Sequence, residues 1–145
     1  MIRFYRWLLF AGTMIILSAC SGEINTEVKA LHWDREICER CKMLISVREF
    51  AAQTINPHSG KRYYWDDIGC AILWFDEKDI AWEDEAITYI IDAKTNEWID
   101  AKRAYYTHGA VTPMDFGFSA HKEPQAGEEN YDYAYVRDRI LGKPL

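Results

Sequence analysis

The sequence predicts an α+β fold built from short strands and two helices. Three observations lead there. Several short runs are rich in β-branched and aromatic residues with partial alternation, two others place apolar residues at helical spacing, and Pro-, Gly-, Asn- and Asp-rich clusters punctuate them.

Taken in order, residues 21–36 are polar and without periodicity, and read as a tether following the lipidated position described below. "MLISVREFAAQTI" reads as a strand, "NPHSGK" (56–61) as a turn, and "RYYWDD" as a second strand, so that the pair makes a hairpin. "IGCAILWFDEK" carries Ile68, Ile72 and Phe75 on one helical face, with Asp66 or Asp67 as its N-cap. "EAITYIIDAKTNEWIDAKRAYYTH" predicts two strands around an "AKTNE" turn. "VTPMDFGFSAH" is a Pro- and Gly-marked stretch with an apolar centre, and "KEPQAGEEN" a loop. Tyr133, Val136 and Ile140 then set the period of a last helix. Strand–strand–helix thus occurs twice. This allows two similar lobes, although no identity between the halves establishes a repeat.

The first nineteen residues read as an address. Arg3 and Arg6 form a basic start, Trp7 to Leu17 an apolar core, and Leu-Ser-Ala-Cys closes it with small residues before a cysteine. That order resembles a bacterial lipobox, in which Cys20 is acylated and becomes the new N-terminus. The expected division is therefore a signal over 1–19, a lipidated tether over 20–36 and a domain over 37–145, anchored to a bacterial membrane and facing the periplasm or extracytoplasmic space. Without the leader, 15 basic side chains face 23 acidic ones, a balance of −8. Such a chain suits neither nucleic acid nor an anionic membrane surface, and the lipid is its expected membrane contact. No Ser-His-Asp or paired-carboxylate motif and no phosphate-binding glycine loop occurs, so the chain reads as a binding protein and not an enzyme.

Apart from Cys20, three cysteines remain: Cys38, Cys41 and Cys70. An odd number in an oxidising compartment leaves at least one thiol free or occupied. Four uses of "CERCKM" stand open. Cys38 and Cys41 can form a disulfide. They can be a redox dithiol, although the motif should then open a helix and the residues after it look like a strand. With Cys70 and one of His32, His58, His108 or His121 they can hold a structural zinc. On a strand, Cys41 and Met43 would point to one face and offer soft sulfur to Cu(I). Cys70 itself reads as a buried packing thiol, and Asp66 and Asp67 as capping residues.

"CERCKM", "YYWDDIGC", "WIDAKRAYY" and "TPMDFGF", in that order over residues 37–118, resemble the successive landmarks of the NosL family, lipoproteins associated with assembling the copper centres of nitrous oxide reductase. The resemblance implies two small strand-and-helix lobes and a chaperone that holds Cu(I) through Cys41, Met43 and Met114. Cys38 is then either a further ligand or a disulfide partner of Cys41, and His108 a further candidate. The recipient it implies is nitrous oxide reductase or its assembly and ABC-transport machinery. This sequence departs from the family at Lys42, where many members have Gly.

Overall fold

The architecture follows from one strand buried on all sides. In the computed structural model, which describes residues 23–144, β1 (Ala52–Ile55) lies between β2 (Arg62–Trp65) and β3 (Ile87–Ile91). β4 (Trp98–Asp100) completes an antiparallel sheet of order β2-β1-β3-β4. All four residues of β1 are buried, so its polar side chains must find partners inside. The Thr54 hydroxyl meets the Thr88 hydroxyl at 3.0 Å and accepts the indole N–H of Trp65 at 2.9 Å. Gln53 accepts the Lys29 N–H at 3.2 Å and donates to the Lys29 carbonyl at 2.8 Å.

The β1–β2 hairpin turns through "NPHSGK" as expected, with Asn56 Oδ1 accepting the His58 N–H at 2.8 Å and Gly60 at φ +70°. α1 (Ile68–Lys78) follows β2 after two aspartates, and Asp67 caps it by accepting the Gly69 N–H at 3.0 Å. Such a cap contributes about 1 kcal/mol. Trp74 and Phe75 of α1 pack with Tyr63, Trp65 and Trp82, the Tyr63–Trp74 and Trp65–Trp74 centroids lying 4.8 and 5.3 Å apart. The tryptophans and tyrosines here fill a small core, as their number suggests.

β5 (Tyr105–His108) and β6 (Phe118–His121) form a separate two-stranded sheet, and α2 (Tyr133–Ile140) closes the chain. Asp92 joins the two sheets. Its carboxylate accepts the N–H groups of Lys94 and Thr95 in the β3–β4 turn and that of Lys122 just after β6, at 2.7–2.9 Å. Burial opposes its charge, yet these bonds hold its pKa below the ordinary value.

The α+β class is as expected, and β1-β2-α1 and β5-β6-α2 repeat the strand–strand–helix order. The halves are unequal, however, because β3 and β4 extend the first sheet. Three local expectations change. The strand after the cysteines is confined to Ala52–Ile55, since residues 48–50 form a 3-10 turn and Leu44 makes only an isolated bridge with Ile37. The stretch 98–108 breaks at a 3-10 turn over Ala101–Arg103 into two strands in different sheets. The segment read as a tether also lies on the domain over much of its length. Leu31 is buried in the core, Lys29 is clamped by Gln53, and the Asn25 carbonyl accepts from Arg62 at 3.1 Å. The leader and Cys20 lie outside the described residues.

Gly69 places the "TPMDFGF" segment. A Cβ there would come within 2.2 Å of the Phe116 ring, so only glycine lets that segment sit on the first turn of α1. Gly→Ala in a helix ordinarily gains up to about 1 kcal/mol. Here overpacking should reverse the sign, and Gly69→Ala is expected to destabilise the domain by about 1–3 kcal/mol in chemical denaturation. A stabilised variant would show that Phe116 moves away at no cost.

Candidate metal centre

Residues Cys38 to Met43 form a closed loop. The Cys38 N–H donates to the Met43 carbonyl at 2.9 Å and the Lys42 N–H to the Cys38 carbonyl at 3.0 Å, just inside the Ile37–Leu44 bridge. The Glu39 N–H donates to the Tyr64 carbonyl at 2.9 Å and pins the loop to the end of β2. Closing the loop puts Lys42 in the left-handed region at φ +64°, a conformation that glycine adopts most readily. Lys42 thus stands at a position where glycine would meet the turn's conformation at less cost. Its side chain is largely exposed, with Nζ 3.5 Å from Glu39 Oε1.

The strand expected to align Cys41 with Met43 is therefore a turn, and the alternation argument does not hold. The loop instead delivers Cys38 and Cys41 to the strand–helix junction of β2 and α1. There the sulfurs of Cys38, Cys41 and Cys70 and a carboxylate oxygen of Asp66 all lie within 4.8 Å of one another, the one such cluster of His, Cys, Asp and Glu among the described residues. All three cysteines are free thiols. Cys38, Cys70 and Asp66 are buried, while Cys41 is half-buried and is the cluster's opening to solvent.

Two residues change role. Cys70, read as a packing thiol, stands among the donors because the third position of α1 faces back toward the loop. Asp66 does not cap the helix, a task that falls to Asp67. Both oxygens of Asp66 lie 3.4 Å from the Cys41 sulfur and accept its S–H. The second ligand pair that sequence spacing did not show is Asp66-x-x-x-Cys70. The odd thiol count was its one trace in the sequence.

The methionines approach through their main chains. The Met43 N–H faces the Cys41 sulfur, while the Met43 side chain is 44% exposed at the loop's end. Met114 is half-buried, and its N–H faces the carboxylate of Asp67. That carboxylate has its pKa raised by burial, against the pull of Thr112 and of the Gly69 and Met114 N–H groups. His108 is outside the cluster. It lies exposed at the end of β5 with its ring edge-on to Phe118, centroids 4.8 Å apart. His32 and His58 are exposed beside Glu36 and Glu85, and His121 bonds Thr107 at 3.2 Å.

The thiols share their protons unevenly. The Cys70 S–H bond to Cys38 lowers the Cys38 pKa to about 6, helped by the Asp66 and Cys41 N–H groups and opposed by burial. Cys70 is pushed far up by the same bond and by burial. Cys41 rises to about 11, first through desolvation and then through the charges of Cys38 and Asp66. The first charge of the cluster thus falls on Cys38, and Cys41 and Cys70 are the thiols that keep their protons longest. Three sulfurs and one carboxylate at this spacing can take a thiophilic metal ion.

Comparison with known proteins supplies the fold. No family model matches the sequence, and no curated protein matches it. Among solved structures, the crystal structure of the copper chaperone NosL from Shewanella denitrificans superposes with a TM-score of 0.62 over 76% of this chain and 95% of that one, at 14% identity.

Because Cys41 and Cys70 are protonated at neutral pH, an ion that binds all three sulfurs must displace both protons. Affinity is expected to fall as pH drops, by about two protons per ion near pH 7–8 and about three below the Cys38 pKa of about 6. Titrations in buffers of different ionisation enthalpy would measure this, and release of no protons would contradict the three-sulfur site. The candidate centre is thus a buried Cys38–Cys41–Cys70–Asp66 cluster with one half-open sulfur, on a fold similar to that of a copper chaperone.

Proposed function

We propose that this chain is a Cu(I) carrier: it holds one Cu(I) on the sulfurs of Cys38, Cys41 and Cys70 and passes it on through Cys41. The observation that carries the reading is the convergence of three free sulfurs and Asp66 within 4.8 Å, with Cys41 alone half-open. Soft thiolates suit Cu(I), which needs no fourth hard donor. Asp66 accepts the Cys41 S–H at 3.4 Å and so holds that sulfur toward the other two. Met43 and Met114, one exposed beside the loop and one half-buried in the segment packed on α1, are the thioethers proposed to take the ion as it moves in or out. His108 is not a member of the cluster and is not counted among the proposed ligands.

The fold likeness to a copper chaperone supports copper as the cargo, and the four motifs resembling the NosL family support the same choice. On this reading Cys20 carries the lipid, the domain faces the extracytoplasmic space, and the recipient is a copper enzyme there. Nitrous oxide reductase or its assembly machinery is the recipient that the motifs favour. Handover needs a ligand that exchanges without opening the core, and the half-buried Cys41 meets that need.

A thiol oxidoreductase fits less well. That chemistry requires an accessible thiol of lowered pKa. Here the low-pKa thiol, Cys38, is buried, and the accessible one, Cys41, has its pKa raised. Structural zinc is the second reading, and Asp66 favours it, because Cys₃Asp would close a tetrahedral set.

An anaerobic titration of the reduced domain against a chromophoric Cu(I) chelator, with a parallel zinc titration, separates these readings. One Cu(I) is expected to bind. Cys38→Ser, Cys41→Ser and Cys70→Ser should each weaken it by more than the ~10–100-fold typical of losing an outer-shell partner, and Met43→Ala and Met114→Ala by less. Zinc binding that depends on Asp66 and exceeds Cu(I) binding would favour the structural staple. A Cys70→Ser variant with wild-type Cu(I) affinity would contradict the proposed ligand set.

A further inference from the structure

The first described residues enter the fold at one end of the sheet. Ile24 lies against the β1–β2 turn, its Cγ2 standing 3.2 Å from where a Cβ on Gly60 would be. The carbonyl and the Oδ1 of Asn25 accept from Arg62 Nη2 at 3.1 and 3.0 Å. Gln53 then holds Lys29 by both its N–H and its carbonyl. Arg62 pairs with Ile55 and Tyr64 with Gln53, so the segment runs along the hairpin away from its turn, fixed at both ends.

The Cys38–Cys41–Cys70–Asp66 cluster lies at the opposite end. Asp66 directly follows β2, four residues beyond Arg62, which is about 13 Å along an extended strand. The register carries this polarity across the sheet. Trp65, Ala52 and Ile90 align, so the β3–β4 turn with Lys94 sits at the cluster end. Glu85, just before β3, reaches the β1–β2 turn instead and pairs with His58 at 3.3 Å.

Cys20 lies outside the described residues, yet it precedes Ile24 by only four positions. Four residues span at most about 14 Å when fully extended. A domain of about 120 residues has a radius of gyration of about 14 Å, so this leash is shorter than the domain is wide. A lipid on Cys20 holds that residue at the bilayer surface, and the β1–β2 turn is the part of the domain that the leash reaches first. Charge does not do the orienting. Exposed groups on and beside the turn carry both signs, Glu23, Glu27 and Glu85 against His58 and Lys61. The Lys61 ammonium is also drawn over the Tyr63 ring, 4.8 Å from its centroid.

Resting on the reading that Cys20 carries the lipid, we propose that the β1–β2 turn is the bilayer-facing surface of the domain, set against phospholipid headgroups by the short tether. The metal cluster is then held on the side away from the membrane. A partner meets Cys41 from the aqueous side and needs no access to the bilayer surface.

The test uses the full chain, acylated in a bacterial host and reconstituted into vesicles of phosphatidylethanolamine and phosphatidylglycerol. A photoreactive benzophenone amino acid replaces Ser59 at the turn, or His58 in a second variant, and Glu39 or Lys94 at the cluster end, all of them exposed. Irradiation is expected to attach lipid to the Ser59 and His58 probes and to leave the Glu39 and Lys94 probes free of it. Inserting about 20 Gly and Ser residues between Gly22 and Glu23 gives a leash with an r.m.s. span of about 25 Å, and should abolish the difference between the two ends. Without the insertion, attachment that is equal at the two ends, absent from both or confined to the cluster end would overturn the proposed orientation. A difference that survives the insertion would overturn the tether as its cause. An intact mass showing no acyl chains on Cys20 would instead overturn the lipid reading and this inference with it.

Discussion

Closure of the Cys38–Met43 loop is the constraint on which the site depends. Two main-chain hydrogen bonds shut it, a third from Glu39 to Tyr64 fixes it to the sheet, and a left-handed residue at position 42 makes the turn possible. Each such bond contributes only about 1 kcal/mol net. Their collective effect is positional, since they decide that two thiols enter the junction between β2 and α1 together. A strand in the same place would have sent Cys38 and Cys41 to opposite faces.

The junction is prepared for them from the other side. Asp66 and Asp67 are neighbours with separate tasks: Asp67 satisfies the helix N-terminus, which frees Asp66 to face Cys41. Gly69 admits Phe116 and so brings the segment carrying Met114 onto the first turn, and Cys70 completes the cluster from the next residue. Protonation then keeps the empty pocket stable. With the Cys41 and Cys70 thiols pushed up, fewer charges are buried together than three thiolates would bring, which limits the desolvation cost. A carrier benefits from such a pocket, because it persists empty and still offers three sulfurs when a thiophilic ion displaces the protons.

Local signals in the sequence were reliable where chemistry and periodicity agreed. "NPHSGK" turns, "RYYW" pairs with "AQTI", and Ile68, Ile72 and Phe75 do face the core from a helix. The strand predicted after the cysteines shortened because Arg48–Phe50 turn as a 3-10 helix, and the expected alignment of Cys41 with Met43 failed because a positive φ at Lys42 leaves no trace in composition. The tether was misjudged for a related reason: it is held by scattered hydrogen bonds to Gln53, Arg62 and Ile45 and by a buried Leu31, none of which creates periodicity. Cys38 and Cys41 could be named from their spacing alone. Cys70 entered only as one option for a zinc site and Asp66 only as a cap, because both join the cluster through contacts spanning more than twenty residues across a strand–helix junction. Only the odd count of thiols hinted that Cys70 had a partner. His108 looked suggestive by position and stands on the other sheet, against Phe118.

The most direct measurement is X-ray absorption at the copper edge on the reduced, Cu(I)-loaded domain, repeated on Cys70→Ser. The account predicts a first shell made of sulfur in the wild type, with about three donors, that loses a sulfur in the variant. A shell dominated by nitrogen or oxygen, or a sulfur shell unchanged by Cys70→Ser, would contradict it.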